Sequence, residues 1–220
     1  MNSIRKPFPY RYYGVVYWLI GLNVLIFAAT QLLGPQIKYY MTIYLTMIPA
    51  VIVEKNWLWT FISYMFMHSN FSHIFFNMFG LFIFGRHVEY QMGSFEFLLY
   101  YILTGMLAGV FSFWVYLFTG SPMIILLGAS GAIFAVQLAY AVLYPESIIY
   151  LWGILPLRAP VMVLGFTALE LIFSLRRSSS GVAHLTHLAG FGFGWLYFLI
   201  RFGVNPLSRL LRRRPRWPQQ

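Results

Sequence analysis

Four side chains that could do chemistry stand in an otherwise apolar chain. Ser130 lies between glycines in Gly128-Ala129-Ser130-Gly131, His187 lies in HLTHLAGFGFG, and His73 and Asn77 are four residues apart in NFSHIFFNMFG. A serine hydroxyl is a weak nucleophile until a base takes its proton, and imidazole is the usual base near neutral pH. Ser130 and His187 therefore form a candidate nucleophile and base. Attack on an amide carbonyl creates an oxyanion, and donors aimed at that oxygen carry much of the catalysis. A Ser130 at a helix N-terminus would offer its own unpaired N–H and the positive end of the dipole. His73 and Asn77 could add two more donors.

Other hydrolytic chemistries fit worse. There is no Cys and no Asp in the 220 residues, which removes a thiolate and an aspartyl pair. A Ser–Lys pair fails because Lys38 and Lys55 both fall in the interfacial loop expected over 34–70. No His-Glu-x-x-His is present, and a Gly-x-Ser-x-Gly elbow fails at Ala132. Neither a metal nor a cofactor is called for. The acids are Glu54, Glu89, Glu96, Glu146 and Glu170. On the topology below, only Glu170 stands inside the membrane near the serine, and it is expected to turn to Arg177 or to be held protonated by hydrogen bonds, with orientation of His187 as the lesser alternative. A Ser–His dyad is thus the expected arrangement. His184 is expected to bond a neighbouring helix.

The elements that must position these residues are membrane helices. The chain is 60% hydrophobic and 9% charged, outside the range of soluble domains. Crossing a hydrocarbon core of about 30 Å takes roughly 20 helical residues. The expected fold is all-α, a polytopic bundle of six spans near 14–33, 71–85, 95–118, 129–144, 158–175 and 182–203. The run from Gly14 to Leu33 is too long for a cleaved leader and reads as a retained anchor. Residues 34–70 read as an interfacial loop, with Trp57 and Trp59 at headgroup depth. Residues 1–13 and 204–220 read as tails, the second strongly basic and suited to anionic lipid rather than nucleic acid. With both ends inside, eleven Lys and Arg fall in the cytoplasm and Lys38, Lys55, Arg176 and Arg177 outside. Small size and short tails suggest a bacterial plasma membrane.

Depth follows from 1.5 Å per residue. Counting up about 21 Å from Tyr144 at the inner end leaves Ser130 roughly 9 Å below the outer boundary, and counting down from Val182 and Phe71 puts His187 about 8 Å and Asn77 about 9 Å below it. Separate helices bring them to one level. The fourth helix is too short to span, so Ser121–Leu127 must descend into the membrane and be buried in protein or line a wet cavity. Close approach of the serine and histidine helices requires small residues. Gly131, Ala135 and Ala139 form one such stripe, and Gly190 and Gly194 share the face of His187.

The patterns His68-x4-His73-x3-Asn77, Gly128-x-Ser130-Gly131 and His187-x2-Gly190-x3-Gly194, in this order and topology, resemble the rhomboid family of intramembrane serine proteases. The resemblance covers about residues 15–203. It implies cleavage of single-span transmembrane protein substrates near the outer membrane face, with Ser130 as nucleophile and His187 as base. His73, Asn77 and the Ser130 amide would match the family's oxyanion hole, and His68 a histidine of the same network. Glu89 and Gly93 resemble the turn after the family's second helix, and the fifth helix its lateral gate. Two positions depart from the pattern. Trp59-Thr60 stands where Trp-Arg is common, and Phe134 stands where a tyrosine often stacks on the imidazole. The alternatives are a non-catalytic rhomboid-like protein that binds membrane clients, for which the serine and histidine would be superfluous, and a small transporter.

Overall fold

The computed structural model describes residues 7–151, 153–174 and 179–211. Helix α1 (Val15–Leu32) leads into three short helices, α2 (Pro35–Leu45), α3 (Pro49–Lys55) and α4 (Thr60–Ser63), and then a 3-10 turn over Tyr64–Phe66. Helix α5 (Phe71–Gly80) continues through a π-helical turn, Leu81–Gly85, into α6 (Arg86–Met92). Next come α7 (Ser94–Phe118) and α8 (Ser130–Leu143), a hairpin of β1 (Ile148–Leu151) and β2 (Leu155–Arg158), then α9 (Ala159–Ser174) and α10 (Ser179–Tyr197). A second π turn, Phe198–Phe202, and α11 (Pro206–Leu211) close the described chain. The helices fall where the apolar runs predict them, with the second lengthened to Met92.

Polarity is inverted relative to a soluble domain. Trp18, Leu32 and Phe118 are 76%, 81% and 84% exposed, whereas Glu89, Glu96 and Ser112 are at most 1% exposed. In water the usual arrangement is the reverse. Helices α1 and α7 are each long and apolar enough to cross a membrane, while α8 and α9 are shorter apolar helices.

Helix α8 is the axis of the fold. Ala132, Ala135, Val136, Leu138, Ala139 and Ala141 are no more than 1% exposed, and α7, α9 and α10 pack around them. At 14 residues α8 is about 21 Å long, shorter than a hydrocarbon core. The segment before it therefore carries backbone groups that need partners. Met47 N–H donates to Leu126 C=O at 3.0 Å and Leu126 N–H returns a bond to Met47 C=O at 2.9 Å. Ala50 N–H reaches Pro122 C=O at 2.9 Å. Two irregular stretches thus satisfy each other.

The loop over 34–70 is folded, not extended. Pro35 and Pro49 open α2 and α3, where a missing N–H has no intrahelical cost. Trp57 is stacked between Tyr44 at 4.7 Å and Trp59 at 5.3 Å, and Trp59 Nε1–H donates to Tyr44 C=O at 2.9 Å. Thr60, where a guanidinium is common in the resembled family, is 1% exposed and donates to Trp57 C=O at 2.7 Å. Aromatic stacking and short hydrogen bonds hold this loop.

The far end of the bundle is stapled by acids. Glu89 accepts from Val15 N–H at 2.6 Å, Val16 N–H at 3.0 Å and Ser94 Oγ–H at 2.5 Å, joining α1, α6 and α7. Glu96 takes a two-pronged bond from Arg201 at 2.8 and 2.9 Å and one from Tyr197. The flanking segments read as tails are partly folded on this end. Phe8 N–H donates to Glu96 at 3.0 Å, and Leu210 of α11 is 8% exposed.

One feature adds to the all-α expectation. The β1–β2 hairpin pairs Ile148 with Arg158 through Leu151 with Leu155, and Gly153 supplies the turn with φ of 74°. A four-residue apolar run between helices carries too little period to announce a strand.

Candidate active site

Ser130 is the first residue of α8. The chain reaches it through Gly128, whose φ is +114° and where an added Cβ would lie 2.6 Å from His73 Nε2. Both the backbone conformation and the approach of His73 exclude a side chain there. Gly128 N–H donates to Tyr64 C=O at 2.9 Å, and Tyr64 in turn donates through its hydroxyl to Gly105 C=O at 2.7 Å. The entry to α8 is tied to α7 and to the turn after α4.

His187 comes from α10, and its Nε2 is 2.7 Å from Ser130 Oγ. Phe134, one turn along α8, lies flat on the imidazole, with centroids 4.6 Å apart and planes 7° apart. The helices meet through glycine. An added Cβ at Gly190 would stand 1.9 Å from the carbonyl oxygen of Gly131. One at Gly194 would stand 2.5 Å from Tyr100 Oη and 3.0 Å from the Ala135 Cβ. On the other side α10 is held to α7 by Thr186 Oγ1 and Ser112 Oγ at 2.7 Å. Ser112 also reaches Ala108 C=O at 2.8 Å. This buried pair, and the Tyr100 hydroxyl bond to Ala135 C=O at 2.6 Å, have no sequence motif; only the polar residue within an apolar run marks them.

His73 is positioned by the cap of α5. Asn70 Oδ1 accepts from His73 N–H at 2.9 Å, a standard N-cap bond. Ser69 Oγ lies 3.1 Å from His73 Nδ1. With the hydroxyl donating, the ring proton sits on Nε2, the nitrogen beside Gly128. Asn77 is 7% exposed, and its Nδ2 donates to His73 C=O at 2.8 Å, which leaves its other amide hydrogen free. Among the described residues neither His73 nor Asn77 is hydrogen-bonded to Ser130 itself. They flank it.

His68 is 4% exposed, edge-on to the His73 ring at 5.0 Å, and neither of its ring nitrogens makes a hydrogen bond of good geometry. Burial first, then the neighbouring His73, pushes its pKa down to about 4, with a backbone contact at Phe66 acting the other way. It is neutral at pH 7.

Glu170 of α9 turns toward two histidines of α10. Its Oε2 is 2.5 Å from His184 Nδ1 and 3.1 Å from His187 Nδ1, the second at ion-pair distance without hydrogen-bond alignment. Arg177, the partner expected for it, lies outside the described residues. The depth count contains the signal, since Glu170 sits about 9 Å from its outer helix end, level with His187. The three donor atoms lie within 4.8 Å of one another, a grouping that could be read as a metal site. Donors 2.0–2.1 Å from a tetrahedral zinc stand roughly 3.3 Å apart, so a 2.5 Å contact is the spacing of a shared proton.

A helical bundle with an apolar exterior and its polar contacts held inside defines an integral membrane protein. The family model for the rhomboid domain matches residues 55–204, over half of the chain, and the chain belongs to the rhomboid family. It is 29% identical over 189 residues to Rhomboid-like protein 11, chloroplastic, of Arabidopsis thaliana, covering 80% of this chain and 61% of that one. It is 33% identical over 155 residues to Rhomboid protease AarA of Providencia stuartii, covering 60% and 52%. Against Rhomboid protease GlpG of Haemophilus influenzae it is 31% identical over 118 residues, covering 54% and 56%. The chain thus spans between 52% and 61% of the length of these curated relatives.

Proposed function

We propose that the chain is an intramembrane serine endopeptidase that cleaves transmembrane protein substrates, single-span ones among them, near the outer membrane face. The observation that carries this is the 2.7 Å contact of His187 Nε2 with Ser130 Oγ. His187 takes the serine proton as Oγ attacks the scissile carbonyl, then delivers it to the leaving amine. Water enters the acyl-enzyme by the same route in reverse. The oxyanion would face the Ser130 N–H at the positive end of α8, with His73 Nε2–H and the free Asn77 amide hydrogen as further donors. Phe134 keeps the ring facing the serine.

In this reading six helices span: α1, the continuous α5–α6, α7, α8, α9 and α10, with both termini cytoplasmic. The separation of ends supports it. Ser130 and His187 lie at one end of α8, while Tyr144 just beyond its other end donates to His87 C=O of α6 at 3.1 Å, near the Glu89 and Glu96 staples. A client-binding protein without activity would leave the serine–imidazole contact unused.

The test is cleavage of a helix-destabilised single-span substrate by the purified protein in liposomes. Ser130→Ala and His187→Ala are each expected to lower the rate on the order of 10⁴-fold with the fold intact. A fluorophosphonate probe is expected to label only when both side chains are present. Cleavage that survives Ser130→Ala rules the mechanism out.

A further inference from the structure

We propose that Glu170 is a positioning residue for the same reaction, so that the site works as a Ser130–His187–Glu170 triad anchored by His184. This rests on the protease reading above. For His187 Nε2 to accept the serine proton, the ring must carry its own proton on Nδ1, and that N–H needs an acceptor. Among the described residues the carboxylate oxygen of Glu170, 3.1 Å away, is the acceptor within reach. The contact is misaligned in the resting site, as hydrogen bonds to catalytic groups often are before substrate binds.

His184 explains how the carboxylate is held. Its Nδ1 meets the same oxygen at 2.5 Å, and its ring lies against Phe173 of α9 at 5.4 Å. The three side chains are 15% to 25% exposed. A carboxylate this far from water is costly unless hydrogen-bonded or paired, and both of its close partners here are imidazoles. The other groups near His187 are Ser130 from α8 and His73 from α5; α7 brings the Ser112 hydroxyl, which is bonded to Thr186 next to His187 on α10, and no charge. Glu170 is the acid of the site. The Nδ1 proton stays on the ring throughout, and the carboxylate fixes the tautomer and stabilises the imidazolium that forms as Ser130 is deprotonated.

The experiment measures kcat and KM separately in liposomes for the full chain and for Glu170→Gln, Glu170→Asp and His184→Gln. Glu170→Gln is expected to lower kcat about 100-fold with KM within about twofold, since the loss falls on the transition state. Glu170→Asp, which keeps the charge one methylene further back, is expected to recover at least about tenfold of that loss. His184→Gln is expected to fall between the two. Should Glu170→Gln fail to fold, Glu170→Ala carries the test, a kcat lowered about 100-fold at unchanged KM supporting the triad and a wild-type kcat in folded Glu170→Ala overturning it. Wild-type kcat in folded Glu170→Gln overturns the triad and leaves the serine protease standing. Cleavage abolished by EDTA and restored by zinc would assign the cluster to a metal and overturn it as well. A wild-type chain that neither cleaves nor labels with the fluorophosphonate removes the underlying reading itself.

Discussion

At the scale of the residue, the chemistry depends on how tightly one imidazole is aimed. His187 has a partner on each side and a ring beneath it, and Phe134 supplies that ring at 4.6 Å. Such aromatic contacts contribute about 0.5–1.5 kcal/mol. Phe134→Ala is therefore expected to lower kcat roughly 2- to 12-fold, and Phe134→Tyr, which keeps the ring, to remain at wild type. Steady-state cleavage assays decide this; an unchanged Phe134→Ala would show that the stack does not orient the base. Ser130, His187, His73 and Asn77 stand out in the sequence because polar types are scarce in an apolar chain and helix counting gives an expected depth. Glu170 was legible in depth but not in direction. A carboxylate between a basic pair six and seven residues on and two histidines on the next helix has two plausible turns, and only the packing of α9 on α10 selects one.

At the scale of the element, the decisive contact is between α8 and α10. Gly190 meets the Gly131 carbonyl where a Cβ would stand at 1.9 Å, so Gly190→Ala must drive the helices apart. Overpacking of this kind typically costs about 1–3 kcal/mol, and here it also lengthens the Ser130–His187 contact. A lowered melting temperature in detergent and a large loss of cleavage are both expected. Gly192→Ala on the same helix is the control, since nothing lies within 4 Å of its added Cβ. It is expected to melt at or slightly above the parent, because alanine is favoured over glycine in a helix by up to about 1 kcal/mol. Equal behaviour of the two variants would contradict the close packing. The helices and this seam could be read from run length and small-residue spacing. The Met47–Leu126 pairing could not, because a contact of two residues across a long separation leaves no periodic trace, and the β1–β2 hairpin is too short to leave one.

At the scale of the whole molecule, the polar groups sort to two ends with different work. On the proposed reading the Ser130 end holds the reacting groups. The opposite end holds Glu89 and Glu96, each saturated by donors from other segments and each at most 1% exposed. This division predicts that the ends can be damaged separately. Glu96→Ala strips Arg201 of a two-pronged partner, and removing one member of a buried pair typically costs about 3–5 kcal/mol. The variant is expected to melt well below the parent, yet its folded fraction should take the fluorophosphonate at an undiminished rate, because no part of the Glu96 cluster touches Ser130 or His187. Ser130→Ala is expected to do the reverse, with no labelling and an unchanged melting temperature. Measuring both properties on both variants separates the two roles. If Glu96→Ala lost labelling in proportion to nothing but its charge while melting like the parent, the far end would belong to the reaction, and a bundle stapled at one end to hold chemistry at the other would be the wrong description.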